Sequence, residues 1–293
     1  MFKKAYFLTM MVSATLAFTA RAAVQTPFNS PAVDTAQGSH FKKVVWLVFE
    51  NESYKPVIQQ ADFAAVAKQG ALLTQMMAET HPSQGNYIAM VAGSTLGVKN
   101  DKNVDLSDSH IGDLLEKKGM QWRVYAEDFP GNCFTGATSG RYARKHVPFI
   151  SFKNVSQNSK RCAQIENSNR FFDDLKNGSL PEFSMYIPNL DNDGHDTGLD
   201  FAGKWLTSKF GALFSKPEAL KDTLFIVTFD EAATLSFKNQ IYTVLIGSNI
   251  QPGSQNSQTL DHPALLKMIE DEFALGSLGR GDAQAPAVTG IWK

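Results

Sequence analysis

Lys43-Val44-Val45-Trp46-Leu47-Val48-Phe49-Glu50-Asn51 holds six consecutive apolar residues that stop on a carboxylate and a carboxamide. A near-continuous apolar run of this length suits a strand buried on both faces. A strand buried that way needs helices on both sides of its sheet. Thr223-Leu224-Phe225-Ile226-Val227-Thr228-Phe229 repeats the pattern and also stops on two carboxylates, Asp230 and Glu231. Shorter strands are expected at Leu72–Met77, Trp122–Ala126, Phe183–Ile187 and Ile241–Ile246.

Helical patterns lie between these runs. One is expected from about Pro56 to Lys68, closed by Gly70, and a second over 84–92. Asp108 is the expected cap of a helix reaching Lys118, with Gly119 as its stop. Others are expected over Asn169–Lys176, Asp200–Phe214 and His262–Phe273, the last with Leu265, Leu266, Ile269 and Phe273 on one face. Alternating strands and helices predict an α/β fold, a three-layer sandwich whose mostly parallel central sheet carries helices on both faces. In such sheets ligands bind at the carboxyl ends of the strands. Residues 127–166 read as irregular, and so long an irregular stretch is usually functional or locally stapled.

The 293 residues are 43% hydrophobic, enough for a sizeable core, and carry a formal net charge of −1. That balance excludes a nucleic-acid binder dependent on a basic excess. There is no Walker motif, no dinucleotide fingerprint and no Gly-x-Ser-x-Gly elbow. Lys3 and Lys4, the apolar stretch from Ala5 to about Ala20, and Ala20-Arg21-Ala22 read as a secretory signal peptide spanning 1–22. A single catalytic domain is expected over 41–293, secreted or periplasmic, with no integral membrane segment in the mature protein. Export makes a disulfide between Cys133 and Cys162, the only two cysteines, an expectation worth on the order of 3–4 kcal/mol in the chain-entropy picture.

Five polar clusters stand where a core has no use for them, four directly after strand-like runs. Glu50-Asn51 offers oxygen ligands for a divalent cation, or simply turns a strand end outward. Ser83 opens a helix, where backbone N–H groups favour an anion, or merely caps it. Asp191 and His195 fall within reach of one ion, or form a solvated Asx turn. Asp230-Glu231 places adjacent carboxylates that repel unless a cation or proton lies between them. Asp261-His262 supplies a capping aspartate and either a working or a surface histidine.

In this order, Phe49-Glu50-Asn51-Glu52-Ser53-Tyr54, Thr80-His81-Pro82-Ser83-Gln84-Gly85-Asn86-Tyr87, the 188–196 segment, Phe229-Asp230-Glu231 and Asp261-His262-Pro263-Ala264-Leu265-Leu266 resemble the phosphoesterase family. That family includes secreted acid phosphatases and phospholipases C within the alkaline phosphatase superfamily, and the compact length is most like its short secreted bacterial acid phosphatases. The resemblance runs from about Val44 to Phe273. It implies an alkaline-phosphatase-like fold and a metal-dependent phosphomonoesterase working through a phosphoserine at Ser83. Glu50, Asn51, Asp230 and Glu231 would hold a divalent metal ion, calcium, magnesium, manganese or zinc. Asn86 would hold a phosphate oxygen, and His81 would orient the phosphate. Asp191, His195 and His262 match second-metal positions, or else bind phosphate and protonate the leaving group. Glu231 stands where the superfamily often has histidine, which favours an oxygen-rich site. The substrate would be a small phosphorylated metabolite or a phosphoinositide; the alternative is a phosphodiesterase or phospholipase C cleaving phospholipid headgroups. Arg141, Arg144, Lys145 and His146 are basic residues able to line that substrate's pocket, or a solvated basic face.

Overall fold

The computed structural model describes residues 1–2, 40–233 and 236–293, so the expected signal peptide and its cleavage site near Ala22 lie outside the described residues. From His40 onward the chain forms one compact unit. Its strands are β1 (Lys43–Phe49), β2 (Ala71–Met77), β3 (Trp122–Ala126), β4 (Thr138–Ser139), β5 (Tyr142–Ala143) and β6 (Ile165–Asn167). They continue with β7 (Phe183–Ile187), β8 (Thr223–Phe229), β9 (Gln240–Ile241), β10 (Thr243–Ile246) and β11 (Gln255–Asp261). Nine of them form one sheet in the order β11-β2-β10-β8-β1-β7-β3-β6, with β9 paired to β2, while β4 and β5 make a separate hairpin.

β1 pairs in parallel with both β7 and β8, and β3 with β7 and β6. β10 runs antiparallel to both β8 and β2, which therefore point the same way, and β11 is parallel to β2. Seven strands thus bring their carboxyl ends to one edge. The runs in β7 and β8 are buried at every position, as is β1 beyond Lys43, so helices cover both faces as the apolar patterning requires. Helix Ala61–Ala67 packs on Leu199–Phe214, and helix Gln84–Ala92 on His262–Glu272. Register partners Phe49 and Phe229 both meet Phe63, with ring centroids 5.4 Å away.

Four elements differ from their sequence signals. The helix expected from Pro56 is two, Tyr54–Gln59 and Ala61–Ala67, because the extended Gln60 ends one and its side chain accepts from Asp62 N and Phe63 N to cap the next. The cap of helix Ile111–Lys117 is His110, whose ring accepts from Gly112 N while Asp113 accepts from His110 N. The 241–246 run is interrupted at Tyr242. β11, reading Gln-Asn-Ser-Gln-Thr-Leu-Asp, has too few apolar residues to announce a strand, yet its pairing with β2 carries Asp261 and His262 to the functional edge.

Cys133 and Cys162 form the expected disulfide, Cα–Cα 5.5 Å. The stapled segment is less irregular than its composition suggested. It holds the β4–β5 hairpin, two short 3-10 turns over Arg144–His146 and Pro148–Ser151, and two four-residue helices. Among the described residues no helix is long and apolar enough to cross a membrane.

One buried acid lies apart from this edge. Burial, with Asp282 beside it, pushes the pKa of Glu270 up to about 8 against the opposing influence of the Leu278 amide. Asp282 holds the C-terminal turn by accepting from Leu278 N at 2.8 Å and Arg280 N at 3.0 Å, and it presses on Gly93, where any Cβ would meet its carboxylate. An acid with a raised folded pKa stabilises the fold below its unfolded value and loses that contribution as pH rises towards the folded one. Glu270→Gln is therefore expected to raise Tm increasingly between about pH 4.5 and 8. Thermal denaturation across that range checks it, and a Tm difference independent of pH would reject the ionisation account.

Candidate active site

The β1–β8 register fixes the centre of the site. Phe49 pairs with Phe229, so the next residues, Glu50 and Asp230, emerge side by side from adjacent strand ends. The backbone ties them further: Asp230 N donates to Phe49 O at 2.9 Å, and Asn51 N donates to Asp230 Oδ1 at 3.1 Å. That second bond requires Asn51 to turn its amide inward at φ 55°, a left-handed conformation that asparagine tolerates better than most residues. Asn51 Nδ2 also donates to Glu50 Oε2 at 3.1 Å.

Ser83 arrives from β2 through a turn containing a cis His81–Pro82 bond. Asn86 shapes that turn. Its Oδ1 accepts from Glu79 N and Thr80 N, both at 3.0 Å, and its Nδ2 donates to Thr80 O at 2.9 Å. Gly85 permits the close approach, since a Cβ there would lie 2.6 Å from Thr80 Cγ2. Ser83 stands at the start of the nine-residue helix Gln84–Ala92 but does not cap it. Its Oγ donates instead to Glu50 Oε2 at 3.0 Å and Glu231 Oε1 at 3.2 Å. Only 1% of Ser83 is exposed. A hydroxyl between two carboxylates has acceptors for its proton at the point where a nucleophile needs them.

Glu50, Asp230 and Glu231 are all buried, and their pKa values are raised, first by burial. Asp230 is pushed well above the carboxylate range, with Glu50 and Glu231 adding repulsion. Glu231 rises to about 7, while Glu50 rises despite the opposing influence of His146. Asp230 Oδ2 and Asn51 Oδ1 are buried, and among the described residues neither has a hydrogen-bond donor. Crowded carboxylates and orphaned oxygens are what a divalent cation would satisfy. Among the described residues no three His, Cys, Asp or Glu side chains converge as a ready-made cage, so the fit depends on mixed donors, with Asn51 and Ser83 beside the carboxylates.

The remaining expected residues fall in three places. His81 sits at the mouth, its Nδ1 2.5 Å from Glu231 Oε2, and partial burial lowers its pKa. Asp191 is on the rim, where Arg141 bridges it to Asp196 at 3.1 and 2.9 Å, and Asp196 Oδ1 holds His195 Nδ1 at 2.8 Å. His262 is wholly buried beneath the site, with Nδ1 2.6 Å from Glu79 Oε2 and Nε2 3.2 Å from Phe229 O. Burial alone would lower its pKa, but Glu79 outweighs that and the net shift is upward. Both ring nitrogens of His262 are engaged, and they tie the Glu79 turn to the end of β8. The Asn86 amide is likewise committed to three backbone groups of the turn.

Two further groups point inward: Asp193, which the sequence reading did not single out, and His146, which it named only as a basic residue able to line the pocket. Asp193, not Asp191, turns in from the loop after β7, because Asn189 caps the turn and Gly194 takes φ 95°. Its main-chain oxygen accepts from Glu50 N at 3.1 Å, and burial raises its pKa to about 7. His146 is buried between Glu50 Oε1 at 3.0 Å and Asp193 Oδ2 at 3.4 Å, stacked on Tyr87, and burial lowers its pKa to about 4. The only sequence signal for Asp193 was its place in the dense 188–196 cluster; His146 lay among the basic residues of the stapled segment.

The phosphoesterase family matches residues 52–276. A phosphatidylinositol-3-phosphatase of Mycobacterium tuberculosis is 35% identical over 258 residues, covering 86% of this chain and 83% of that protein. An acid phosphatase of Aspergillus fumigatus is 36% identical over 265 residues, covering 86% of this chain but 59% of its relative. The chain spans 59–66% of the length of the four fungal relatives it matches. A Vibrio parahaemolyticus protein in the alkaline phosphatase superfamily superposes with a TM-score of 0.56 at 15% identity, over 86% of this chain and 72% of that one, a likeness of fold. A family match across residues 52–276, and a 35%-identical relative covered over most of its length, place this chain in the phosphoesterase family.

Proposed function

We propose that residues 41–293 form a single catalytic domain, exported behind a cleaved signal peptide, that hydrolyses phosphate monoesters as a metal-dependent acid phosphatase. The observation that carries this reading is the Ser83 hydroxyl held between Glu50 and Glu231, beside the unsatisfied Asp230 Oδ2 and Asn51 Oδ1. Glu50, Asn51, Asp230 and Glu231 would hold one divalent cation, and an all-oxygen set favours magnesium, calcium or manganese over zinc. When bound, such a cation lowers the pKa of the serine hydroxyl and polarises the phosphate.

Ser83 Oγ attacks phosphorus in line. The Oγ–P bond forms, the bond to the leaving oxygen breaks, and the serine proton passes to a neighbouring carboxylate. Water then attacks the phosphoserine and releases phosphate. The named activities of the fungal and mycobacterial relatives support this reading, and the mycobacterial name supports a phosphorylated lipid headgroup among the substrates.

His195 is proposed as the leaving-group acid. Asp196 fixes its Nδ1, which leaves Nε2 to face the substrate. His195→Asn is expected to slow alkyl phosphates by about 10²–10⁴-fold and p-nitrophenyl phosphate much less, because only a poor leaving group needs the proton. An equal loss on both esters would remove His195 from that role. Release of p-nitrophenol from its monoester at acidic pH, abolished by chelation and restored by a divalent ion, tests the whole reading. Full activity after exhaustive chelation rejects the metal, and faster cleavage of bis(p-nitrophenyl) phosphate favours the diesterase.

A further inference from the structure

The stapled segment carries Arg141, Arg144 and Lys145, and Lys145 has the fewest partners of the three among the described residues. Arg144 is buried and donates to Thr135 O, Val104 O, Asp105 Oδ1 and Ile150 O, which makes it a structural bolt. Arg141 is committed to Asp191 and Asp196 on the rim. Among the described residues the Lys145 side chain makes a single hydrogen bond, from Nζ to Asp101 Oδ2 at 3.0 Å, and it is 20% exposed. The other oxygen of that carboxylate accepts from Gln84 N, the residue after Ser83, at 3.0 Å. On its other side Lys145 adjoins His146, which touches Glu50 Oε1 while Glu50 Oε2 receives the Ser83 hydroxyl. The ammonium is thus one carboxylate away from the nucleophile's own turn, with two N–H donors to spare.

Charge balance asks for such a group. Glu50, Asp230 and Glu231 against one divalent cation leave one negative charge, so a dianionic phosphate would meet net repulsion. Burial works against the charge on Lys145, but Glu50, Asp101 and Asp230 outweigh it and hold its pKa above the ordinary value.

We propose that Lys145 binds the phosphate directly and selects dianionic monoesters over monoanionic diesters. This rests on the phosphatase reading above. Its structural alternative is that Lys145 serves only to hold Asp101 against the Ser83 turn. The test compares Lys145→Gln, Lys145→Arg and Asp101→Asn on p-nitrophenyl phosphate and bis(p-nitrophenyl) phosphate near pH 7, above the second phosphate pKa of about 6 so that the monoester is dianionic, together with competitive inhibition by inorganic phosphate. If Lys145 contacts phosphate, Lys145→Gln lowers kcat/KM for the monoester by about 10²-fold or more and for the diester by far less, as expected for loss of one charged donor. It also weakens inhibition by phosphate at least about tenfold, while Lys145→Arg, which keeps the charge, recovers most of both. Asp101→Asn keeps the wild-type ratio of monoester to diester activity. Equal losses on both esters, unchanged phosphate inhibition, or the same pattern from Asp101→Asn would each overturn the proposal. Should Lys145→Gln not fold, the arginine variant and phosphate inhibition of Asp101→Asn decide it: a ratio that falls in Asp101→Asn but not in Lys145→Arg assigns the effect to the turn. A wild-type protein that cleaves neither ester would instead sink the phosphatase reading itself.

Discussion

Ser83→Ala is expected to lower kcat on phosphate monoesters by on the order of 10⁵–10⁶-fold while leaving the fold intact, the scale at which deletion of a covalent nucleophile acts elsewhere. The expectation rests on where the hydroxyl is pointed. A serine at a helix start ordinarily turns its oxygen onto the N–H groups of the first turn, and its loss then costs about 1 kcal/mol of stability. Ser83 makes no such bond and donates to Glu50 and Glu231 instead. Alanine leaves Glu50 Oε2 with the Asn51 amide, and no helix cap is lost. Tm should stay within a few degrees of wild type. Acid-quenched reactions with labelled substrate should show a phosphoenzyme in the wild-type protein and none in the variant. Near-normal turnover by Ser83→Ala would sink the nucleophile assignment, and a large drop in Tm would mean that the hydroxyl is structural.

The contrast between a capping serine and one whose hydroxyl is turned onto two carboxylates shows how far the chain could be read before folding. The parallel core was legible because β1, β7 and β8 are apolar at nearly every position, which is the signature of burial on both faces. The edge that carries the polar clusters followed, since carboxylates directly after such runs cannot return to the core. Long-range geometry was not legible. Asp191 and Asp193 are chemically alike and two residues apart; which one turns inward depends on Asn189 and on the left-handed Gly194. His262 belonged to the right cluster, but its direction is set by Glu79, 183 residues away. His146 and Lys145 lie in a segment without periodicity, so nothing local could show that they return to Glu50 and Asp101. β11 escaped notice because its polar sequence carries no apolar signal, yet without it Asp261 would have no strand to end.

Asp230→Asn is expected to raise the stability of the metal-free protein and to abolish its response to metal, two effects of opposite sign from one atom. Asp230 is fully buried, and its pKa is driven well up by burial and then by Glu50 and Glu231. A raised carboxyl pKa means that stability is present below the unfolded value near 3.9 and is lost as pH climbs towards the folded one. Metal-free wild-type protein at neutral pH therefore crowds three acids together with no cation between them and only Lys145 nearby to offset them. The carboxamide keeps an Oδ1 to accept from Asn51 N and offers Nδ2 where Oδ2 now lacks a donor, with no change of size. In chelator, the variant's Tm should exceed wild type by a few degrees, and the gap should widen as pH rises. Adding a divalent cation should reverse the order. At a concentration 100 times Kd, a ligand that binds only the folded state adds about 2.7 kcal/mol, and the variant, deprived of a charged donor, should show little of that gain. Its metal-dependent turnover should fall by roughly 10²-fold or more, because one charged oxygen is lost from the cation that stabilises the phosphoryl group. Thermal denaturation with chelator and then with magnesium, calcium, manganese or zinc measures both halves. A variant less stable than wild type in chelator would refute the electrostatic strain, and one stabilised by metal as strongly as wild type would show that Asp230 is not a ligand.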